Sequence, residues 1–151
     1  MERILAGCGS ASCLDLQKGT LVAATFTQHR WKSINDTEEN DGFTSHLIDG
    51  SSGTASGGRI RGVRLNPSGL LVASWTQKCL FIDRKSAEGM SVRMELDHVV
   101  WVGWDPQSHL KNHLTVLCSN GHIALVRVNE VDSKLSLVVQ SEIIVKSCED
   151  N

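Results

Sequence analysis

The segment from Arg59 to Val128 contains two copies of the same residue pattern, and this repeat constrains the fold more than any other feature. The first copy runs from Gly62 to Ile82, and the second copy runs from Trp101 to Val126. Val72 corresponds to Val116, which gives a period in the range of roughly 40–45 residues. A chain with such a period must build the same small unit more than once.

Each copy consists of short apolar runs that alternate with turn residues. The runs are rich in Val, Ile, Leu and aromatic residues, and this length and composition favour strands over helices. In the first copy Asn66-Pro67-Ser68-Gly69 predicts a turn, because Pro fixes φ at its first corner and Gly permits positive φ at its end. In the second copy Ser119-Asn120-Gly121 predicts a tight hairpin. We therefore expect a meander of strands that must stack on a neighbour, which is the pattern of a β-propeller blade.

The beginning of the chain resembles a weaker third copy. At Gly19 to Val22 a turn glycine is followed by an apolar run, as it is at Gly69 to Val72. The segment from Lys32 to Gly58 is acidic and then rich in Gly and Ser, so it buries too little to offset its ordering entropy, and we expect a flexible surface insertion. Phe43 to Ile48 could form a short edge strand inside it. A phosphate-binding loop is not indicated there, because no Gly-Lys-Ser/Thr follows.

The remaining strands are predicted from their alternation. Ser91 to Leu96 alternates apolar and polar residues, which predicts a half-exposed outer strand. Val99 to Trp104 is apolar throughout, which predicts a strand that is covered on both sides. Leu135 to Val145 is expected to be the last outer strand, with an interruption at Gln140-Ser141, and Met1 to Ala6 is a further candidate strand. The predicted organisation is a degraded first blade (1–31), the insertion (32–58), two blades (59–96 and 97–145) and a disordered tail (146–151).

These predictions define an all-β, WD-repeat-like fold: an incomplete β-propeller of two to three four-stranded antiparallel blades. A closed ring of four to eight blades at about 40 residues each needs more chain than this one supplies. The terminal blades would then expose strand edges and apolar faces. The chain is therefore expected to be a fragment, or to associate with itself or with a partner through its open blades. An isolated β-sandwich built from the same strands is the alternative.

Composition excludes several classes of function. The formal net charge is −2 with no basic cluster, so nonspecific nucleic-acid binding is not favoured. No apolar run approaches the roughly 18–20 residues that span a bilayer, and the N-terminus lacks the apolar core of a secretory signal. The five cysteines are odd in number and form no CxxC pair or zinc-finger spacing. We expect an intracellular protein whose cysteines are mostly structural.

Histidine and aspartate offer no convincing site. His109 and His113 are four residues apart, which would suit a metal only on a helix, and the segment lacks helical periodicity and a third ligand. A solvated insert is the preferred interpretation. His98 is expected to play a hydrogen-bonded structural role. Asp83 and Asp97 lie in different units without an evident catalytic partner.

Serine and tryptophan are interpreted in the same way. Ser74 and Ser119 lack the strained Gly-x-Ser-x-Gly setting of a nucleophile. Trp75, Trp101 and Trp104 could form a stacking surface for a ligand, but packing between blades explains them more simply. The prediction is therefore that the protein is not an enzyme, with no catalytic residue, no cofactor and no metal.

The two clear units resemble the N-terminal propeller of cytoplasmic-face nucleoporins of the eighty-eight-kilodalton class. The resemblance covers Arg59 to Val128. It is carried by Leu65-Asn66-Pro67-Ser68-Gly69 before an apolar strand, and by Leu96 to Trp101 leading into Trp104-Asp105-Pro106 and then Leu114 to Ile123. The chain lacks the C-terminal heptad region that this family uses for assembly. The resemblance implies a scaffold at the nuclear pore that docks protein segments and supports mRNA export and protein transport.

Three hypotheses for function follow. The first is a non-enzymatic propeller scaffold of the nucleoporin type, located at the nuclear envelope, with other proteins as partners. The second is another WD-repeat-like adaptor, in a vesicle coat or a ubiquitin ligase. The third is a small ligand-binding β-domain or enzyme, which would require a polar pocket with perturbed ionisable groups.

Overall fold

Twelve strands in three antiparallel sheets make up the described part of the computed structural model. The structure describes residues 13–17, 20–24, 28–33, 44–47, 60–84, 91–107 and 112–145. The strands are β1 Cys13–Gln17, β2 Thr20–Ala24, β3 Gln28–Ser33, β4 Thr44–Leu47, β5 Gly62–Leu65, β6 Leu71–Trp75, β7 Cys79–Arg84, β8 Ser91–Glu95, β9 Val99–Trp104, β10 His113–Cys118, β11 His122–Val131 and β12 Lys134–Ile144.

Each sheet is a four-stranded meander in which strands that follow one another along the chain are hydrogen-bonded neighbours. We call the sheets blade 1 (β1–β4), blade 2 (β5–β8) and blade 3 (β9–β12). The first strands of the three blades lie next to one another, since β1 contacts β5 and β5 contacts β9. The predicted four-stranded unit is thereby confirmed, and the weak third copy forms a complete four-stranded sheet.

The turn between β5 and β6 is closed by Asn66, which is 3% exposed. Its side-chain Oδ1 accepts hydrogen bonds from the backbone N–H groups of Leu70 and Leu71, both at 3.0 Å. The N–H of Gly69 donates to the carbonyl of Asn66 at 2.8 Å, and Gly69 has φ +73. The Asn-Pro-Ser-Gly motif therefore forms the turn that its sequence predicted.

The main hydrophobic core lies between blades 2 and 3. One side is formed by residues of β6 and β7, including Trp75, Leu80 and Ile82. The other side is formed by residues of β9, β10 and β11, including Val102 and Val116. A second cluster lies on the other face of β5, β6 and β7: Ile60, Val63, Leu65, Val72, Cys79 and Phe81. Blade 2 is thus apolar on both faces, whereas blade 3 is buried on one.

Two features of blade 3 depart from the sequence prediction. The outer strand β12 is not broken at Gln140-Ser141. Instead the pairing with β11 shifts register there, because Val126 pairs with Val139 and Leu125 with Ser141, which leaves Gln140 as a bulge. The connection before this strand is shorter than the gap that the sequence analysis left between Val128 and Leu135, since only Asp132 and Ser133 separate β11 from β12, both with positive φ. Two residues in this conformation match the twist of a hairpin.

The prediction that Val99 to Trp104 is covered on both sides is wrong. Val99 and Val102 are buried, but Val100 is 56% exposed and Trp101 is 46% exposed. The reason is that β9 contributes one face to the core with blade 2, while its other face has no blade against it among the described residues. Composition alone does not reveal which side of β9 has no described blade packed against it.

The first blade also contains a strand that its sequence did not indicate. β3 is polar and would not be identified by hydrophobic periodicity, yet it pairs along its length with β2. The expected edge strand inside the insertion is confirmed, because β4 pairs with β3. The candidate strand at 1–6, the tail at 146–151, His109 and most of the Gly/Ser-rich insertion lie outside the described residues.

Candidate protein-interaction surface

Hydrogen bonds between blades hold their innermost strands in place. The N–H of Leu65 in β5 donates to Oδ2 of Asp15 in β1 at 2.7 Å. Between blades 2 and 3 the indole Nε1 of Trp104 donates to the carbonyl oxygen of Arg64 at 3.0 Å. These contacts fix the positions of the three strands from which a central surface could be built.

A further polar contact joins the turns of blades 2 and 3. Nδ2 of Asn66 donates to Oδ1 of Asn112 at 3.1 Å, and Asn112 has φ +63 immediately before β10. The carbonyl of Asn112 also accepts from the N–H of Val128 at 2.8 Å. The turn of one blade is therefore tied to the start of a strand in the next.

The surface that stands out for its chemistry is the face of blade 3 that points away from blade 2. We call it the open face, and its register positions are Trp101, Gly103, His113, Thr115, Leu117, Ile123, Leu125, Arg127, Val138, Ser141 and Ile143. These positions alternate along each strand with the buried residues of the core cluster. The described residues therefore cover one side of blade 3 and leave this side exposed or half-buried.

One row of the open face is apolar across all four strands. Trp101 pairs with Leu117, Leu117 pairs with Ile123, and Ile123 pairs with Ile143. Trp101 is 46% exposed and Ile143 is 60% exposed. Single exposed apolar residues are normal on a protein surface, but a contiguous row of them marks an interaction site.

Trp101 is positioned by the glycine two residues further along its strand. A Cβ added to Gly103 would lie 2.1 Å from the ring of Trp101, so the indole lies directly against the bare backbone of Gly103. Only glycine permits such a close approach. The ring is thereby held along the surface of the sheet and adds to the apolar row.

A groove of about 520 Å³ is formed where the first strands of the three blades come together. The aromatic and proline side chains at its wall are those of Trp101, Trp104, Pro67 and Pro106, and its charged residues are Asp15 and Arg64. The indole N–H of Trp104 is hydrogen-bonded to the backbone of blade 2, whereas the side chain of Trp101 is exposed to solvent. The groove joins the open face through Trp101 and Gly103.

A second groove, of about 560 Å³, lies between blades 2 and 3 on the side of the outer strands. Its charged residues are Lys78, Glu95, Asp97 and Glu142, together with His122. Nε2 of His122 lies 3.6 Å from Oε1 of Glu142. Within the described ranges no group of three His, Cys, Asp or Glu residues is arranged to hold a metal ion.

Cys79 and Cys118 are buried free thiols inside strands β7 and β10, which agrees with the structural role expected of the cysteines. Burial raises the pKa of the Cys79 thiol, with a smaller effect from the negative charge of Glu95. Burial likewise raises the pKa of the Cys118 thiol, with a smaller effect from Asp97. A thiol held in its protonated form is a poor nucleophile, so neither residue has the environment of a catalytic cysteine.

The structure separates the histidines and aspartates that were considered from sequence. Nε2 of His113 in β10 lies 2.9 Å from Oε1 of Gln140 on the outer strand β12, across β11. His98 is exposed and has φ +46; its structural contribution comes from its backbone carbonyl, which accepts from the N–H of Ser119 at 2.9 Å. Asp83 is buried in β7 and Asp97 is exposed after β8. These residues do not form one cluster.

The serines and tryptophans also fall into separate environments. Ser74 is fully buried, and among the described residues its Oγ has no hydrogen-bond partner, whereas Ser119 is exposed in a turn. Trp75 is 7% exposed in the core between blades 2 and 3, and Trp104 packs against the same core. Packing between blades is therefore confirmed for Trp75 and Trp104, but Trp101 belongs to the open face.

Sequence reasoning did not identify the open face as a surface. The signal was present near the hairpin between β10 and β11, where Leu117, Ile123 and Leu125 alternate with the buried residues Val116, Ala124 and Val126. Both faces of the two strands are apolar there. Such strands are normally covered on both sides. Recognising which side is uncovered required the order of the blades in space.

The comparisons with known proteins support the architecture. The chain is similar to Sqt1 from Saccharomyces cerevisiae, with 10% identity, a TM-score of 0.66 and coverage of 92% of this chain and 36% of that one. It is also similar to the WD40 domain of SCAP from fission yeast, with 13% identity, a TM-score of 0.63 and coverage of 89% and 31%. A third similar structure is the yeast heterotrimeric Nup82-Nup159-Nup116 nucleoporin complex, with 12% identity, a TM-score of 0.51 and coverage of 83% and 32%.

No family model matches the sequence, and the search of curated proteins found no match. The chain spans about a third of the length of each of the three solved structures. At these identities the similarity concerns the fold. Together with the three stacked meanders it shows an all-β, incomplete β-propeller of the WD-repeat type. Among the described residues no helix is long and apolar enough to cross a membrane.

Proposed function

We propose that this chain is a non-enzymatic propeller scaffold that binds other proteins through blade 3, and that it acts as a nuclear pore component. The observation that carries the proposal is the apolar row of the open face, from Trp101 to Ile143. A row of this kind buries apolar area on contact with another protein, which is the main favourable term in protein association.

The nucleoporin assignment is supported by two independent features. The first is the resemblance of Arg59 to Val128 to the propeller of cytoplasmic-face nucleoporins. The second is the similarity of fold to a yeast nucleoporin complex. In this proposal the chain docks protein segments at the pore and so supports mRNA export and protein transport. Its proposed location is the nuclear envelope.

Three features of the described chain favour a scaffold over an enzyme. The ionisable residues that were considered from sequence are dispersed, the two described thiols are held protonated, and the groove with the most charged residues lacks an arrangement suited to a metal. An enzyme would bring a nucleophile, a base and an electrostatic stabiliser to one cavity.

The alternative function is that of a WD-repeat-like adaptor in a vesicle coat or a ubiquitin ligase. The fold itself favours this alternative as much as the first, because Sqt1 and the SCAP domain have higher TM-scores than the nucleoporin complex. The two proposals differ in partner and in location, and not in the surface that binds.

Imaging and proximity labelling of the tagged chain in cells separate the two. The nucleoporin proposal predicts a nuclear-rim signal and labelling of pore proteins. It also predicts that Ile143→Glu abolishes both, because a charge in the apolar row must be desolvated on binding. Ile144→Glu is the matched control. It introduces the same charge at the adjacent and still more exposed residue, whose register position is on the opposite face of β12.

Each outcome of this experiment decides between the proposals. A diffuse signal with labelling of coat or ligase components overturns the nucleoporin proposal in favour of the adaptor. A rim signal that survives Ile143→Glu contradicts the assignment of binding to the open face. Equal loss in both variants also contradicts it, since the two residues lie on different faces of the sheet.

A further inference from the structure

We propose that the groove of about 560 Å³ between blades 2 and 3 is a second docking site, which we call the interblade groove. Its partner is a short extended segment of another protein that carries an apolar side chain next to basic ones. The site is independent of the open face, because it lies on the other side of blade 3. Both of its walls are formed by blades that the structure describes.

The bulge in β12 directs Glu142 towards this groove. On one side of the bulge Val139 pairs with Val126, and on the other side Glu142 pairs with Ala124. Both partners on β11 belong to the core cluster between blades 2 and 3, so Val139 and Glu142 have register positions on the side of blade 2. Without the extra residue, Ser141 would occupy that position and Glu142 would lie on the open face. Bulges near functional sites commonly re-aim a side chain in this way.

The groove is open because the end of β12 contributes no large apolar side chain to the core. Leu135 and Leu137, earlier on the same side of the strand, pack against the core cluster. Val139 follows them, is 38% exposed and lines the groove. The next position on this side is Glu142, which is mostly exposed, and its partner on β11 is the small residue Ala124. The space between the two blades is therefore left unfilled at this level.

The wall that blade 2 contributes is apolar and is held in place by backbone hydrogen bonds. Met94 and Leu96 of this wall are half-buried and pack against the core. The N–H of Leu96 donates to the carbonyl of Lys78 at 2.7 Å, and the N–H of Val99 donates to the carbonyl of Gln77 at 2.8 Å. The segment that follows β8 is thus fixed to the tip of the β6–β7 hairpin. A wall that is already ordered loses little entropy when a partner binds.

The charges at the groove favour a basic partner. The described lining residues include three carboxylates and one lysine: Glu95, Asp97, Glu142 and Lys78. Nε2 of His122 lies 3.6 Å from Oε1 of Glu142. Among the described residues Glu95 and Asp97 form no ion pair. A positive side chain at this rim therefore meets an excess of negative charge, whereas a negative side chain is repelled.

An extended segment matches both the apolar and the charged parts of the groove. Successive side chains of an extended chain point to opposite sides. One apolar side chain can therefore reach the floor formed by Met94, Ala124 and Val139, while its neighbours along the chain stay at the rim. Lys and Arg suit those neighbours, because their long stems lie on apolar surface and their charged ends stay in water near the carboxylates.

The experiment is fluorescence anisotropy of a labelled peptide titrated with the purified full chain. The probe is a short peptide in which lysine and leucine alternate. We expect saturable binding with a dissociation constant below about 1 mM, which weakens as salt screens the exposed charges. Replacing the lysines by glutamate, or the leucines by serine, should raise the dissociation constant at least about tenfold. Absence of saturable binding of the lysine–leucine peptide overturns the proposal, and so does equal binding of the three peptides.

Two pairs of variants locate the bound peptide. Glu142→Lys should raise the dissociation constant at least about tenfold, whereas Ser141→Lys, at the adjacent residue on the open face, should leave it within about twofold. Val139→Gln removes apolar area from the groove and should raise it at least about threefold, whereas Val138→Gln, similarly exposed on the opposite face, should not. Circular dichroism establishes that each variant is folded, and the valine pair keeps the proposal testable if Glu142→Lys does not fold. Equal effects of the two members of a pair overturn the proposal.

Ile143→Glu separates the interblade groove from the open face. This variant disrupts the apolar row of the open face and should not weaken binding of the lysine–leucine peptide, since Ile143 lies on the opposite side of β12 from Glu142. Peptide binding that is lost in Ile143→Glu and kept in Glu142→Lys refutes the groove as the site. A chain that binds the peptide in the groove but gives no nuclear-rim signal in cells supports this inference and refutes the proposed location.

Discussion

The contact between Gly62 and Trp75 gives the sharpest test of how blade 2 packs. Gly62 pairs directly with Trp75 across β5 and β6, and Trp75 is 7% exposed in the core shared with blade 3. A Cβ added at Gly62 would lie 2.0 Å from Cζ2 of the indole. Ordinary contact begins at 3.4 Å, so the substitution Gly62→Ala would force the ring to retreat by about 1.4 Å.

The expected loss of stability follows from what surrounds the ring. Overpacking a well-packed core costs about 1–3 kcal/mol. Alanine has a lower backbone entropy than glycine in the unfolded chain, which offsets about 0.4–1 kcal/mol of this loss in the free energy of unfolding. The free energy of unfolding should therefore fall by about 1–2 kcal/mol, which for a chain of this size corresponds to a decrease in Tm of about 2–8 °C.

Gly103→Ala is the matched control. An added Cβ would lie 2.1 Å from the ring of Trp101, almost the same distance as at Gly62. The ring of Trp101 is 46% exposed, however, and can rotate into solvent. We expect Gly103→Ala to change the free energy of unfolding by less than about 0.5 kcal/mol, as is usual for surface substitutions.

Urea denaturation followed by far-ultraviolet circular dichroism measures both variants, at a protein concentration low enough that association does not contribute. Equal losses in Gly62→Ala and Gly103→Ala would refute the reasoning, because it rests on the difference in burial of the two rings. A Gly62→Ala protein as stable as the wild type would show that Trp75 is not confined as the structure indicates.

The remaining predictions concern the turn and the thiols of the core. Asn66→Ala should lower the free energy of unfolding, measured by urea denaturation, by about 2–4 kcal/mol, because it removes the acceptor of two backbone N–H groups. Ser68→Ala, in the exposed part of the same turn, is the comparison. A loss in Asn66→Ala no larger than in Ser68→Ala would contradict this prediction. At pH 8, peptide mapping should show Cys79 and Cys118 alkylated at least about tenfold more slowly in the native protein than in urea. Burial raises their pKa in the folded state, so the folded protein holds these protons more tightly, and stability should fall as pH rises above about 8.5. Urea denaturation at pH 7.5 and 9.5 checks the sign, and a rise would refute it.

Much of the fold was predictable because the sequence carries strong local signals. Asn66-Pro67-Ser68-Gly69 forms the expected turn, and the tip around Gly121 has the positive φ that Asn-Gly favours. The period of the repeat predicted the stacked meanders. β3 was missed because its residues are polar, so only its pairing with β2 makes it a strand. Tertiary pairing overrode a weak local preference there.

The candidate surface was less predictable, since it depends on which face of blade 3 is left uncovered by the described residues. The sequence of β9 is apolar at almost every position, which cannot distinguish a strand between two blades from a strand at the end of the series. Trp101 and Trp75 illustrate the point. Both are tryptophans packed against a glycine in the same kind of sheet, yet only the order of the blades exposes one of them.

The extra residue at Gln140 has a consequence for how blade 3 meets other molecules. β12 is eleven residues long, and a flat edge strand of this length would allow a strand from another molecule to pair with it along its whole length. The bulge at Gln140 increases the local twist of β12 and interrupts the regular spacing of its free backbone N–H and C=O groups. An added strand could therefore not pair in one register along the whole edge. The bulge therefore disfavours nonspecific backbone pairing at the free edge of β12, whereas the open face of blade 3 remains exposed. Binding through that face uses side-chain contacts, which can be specific for one partner.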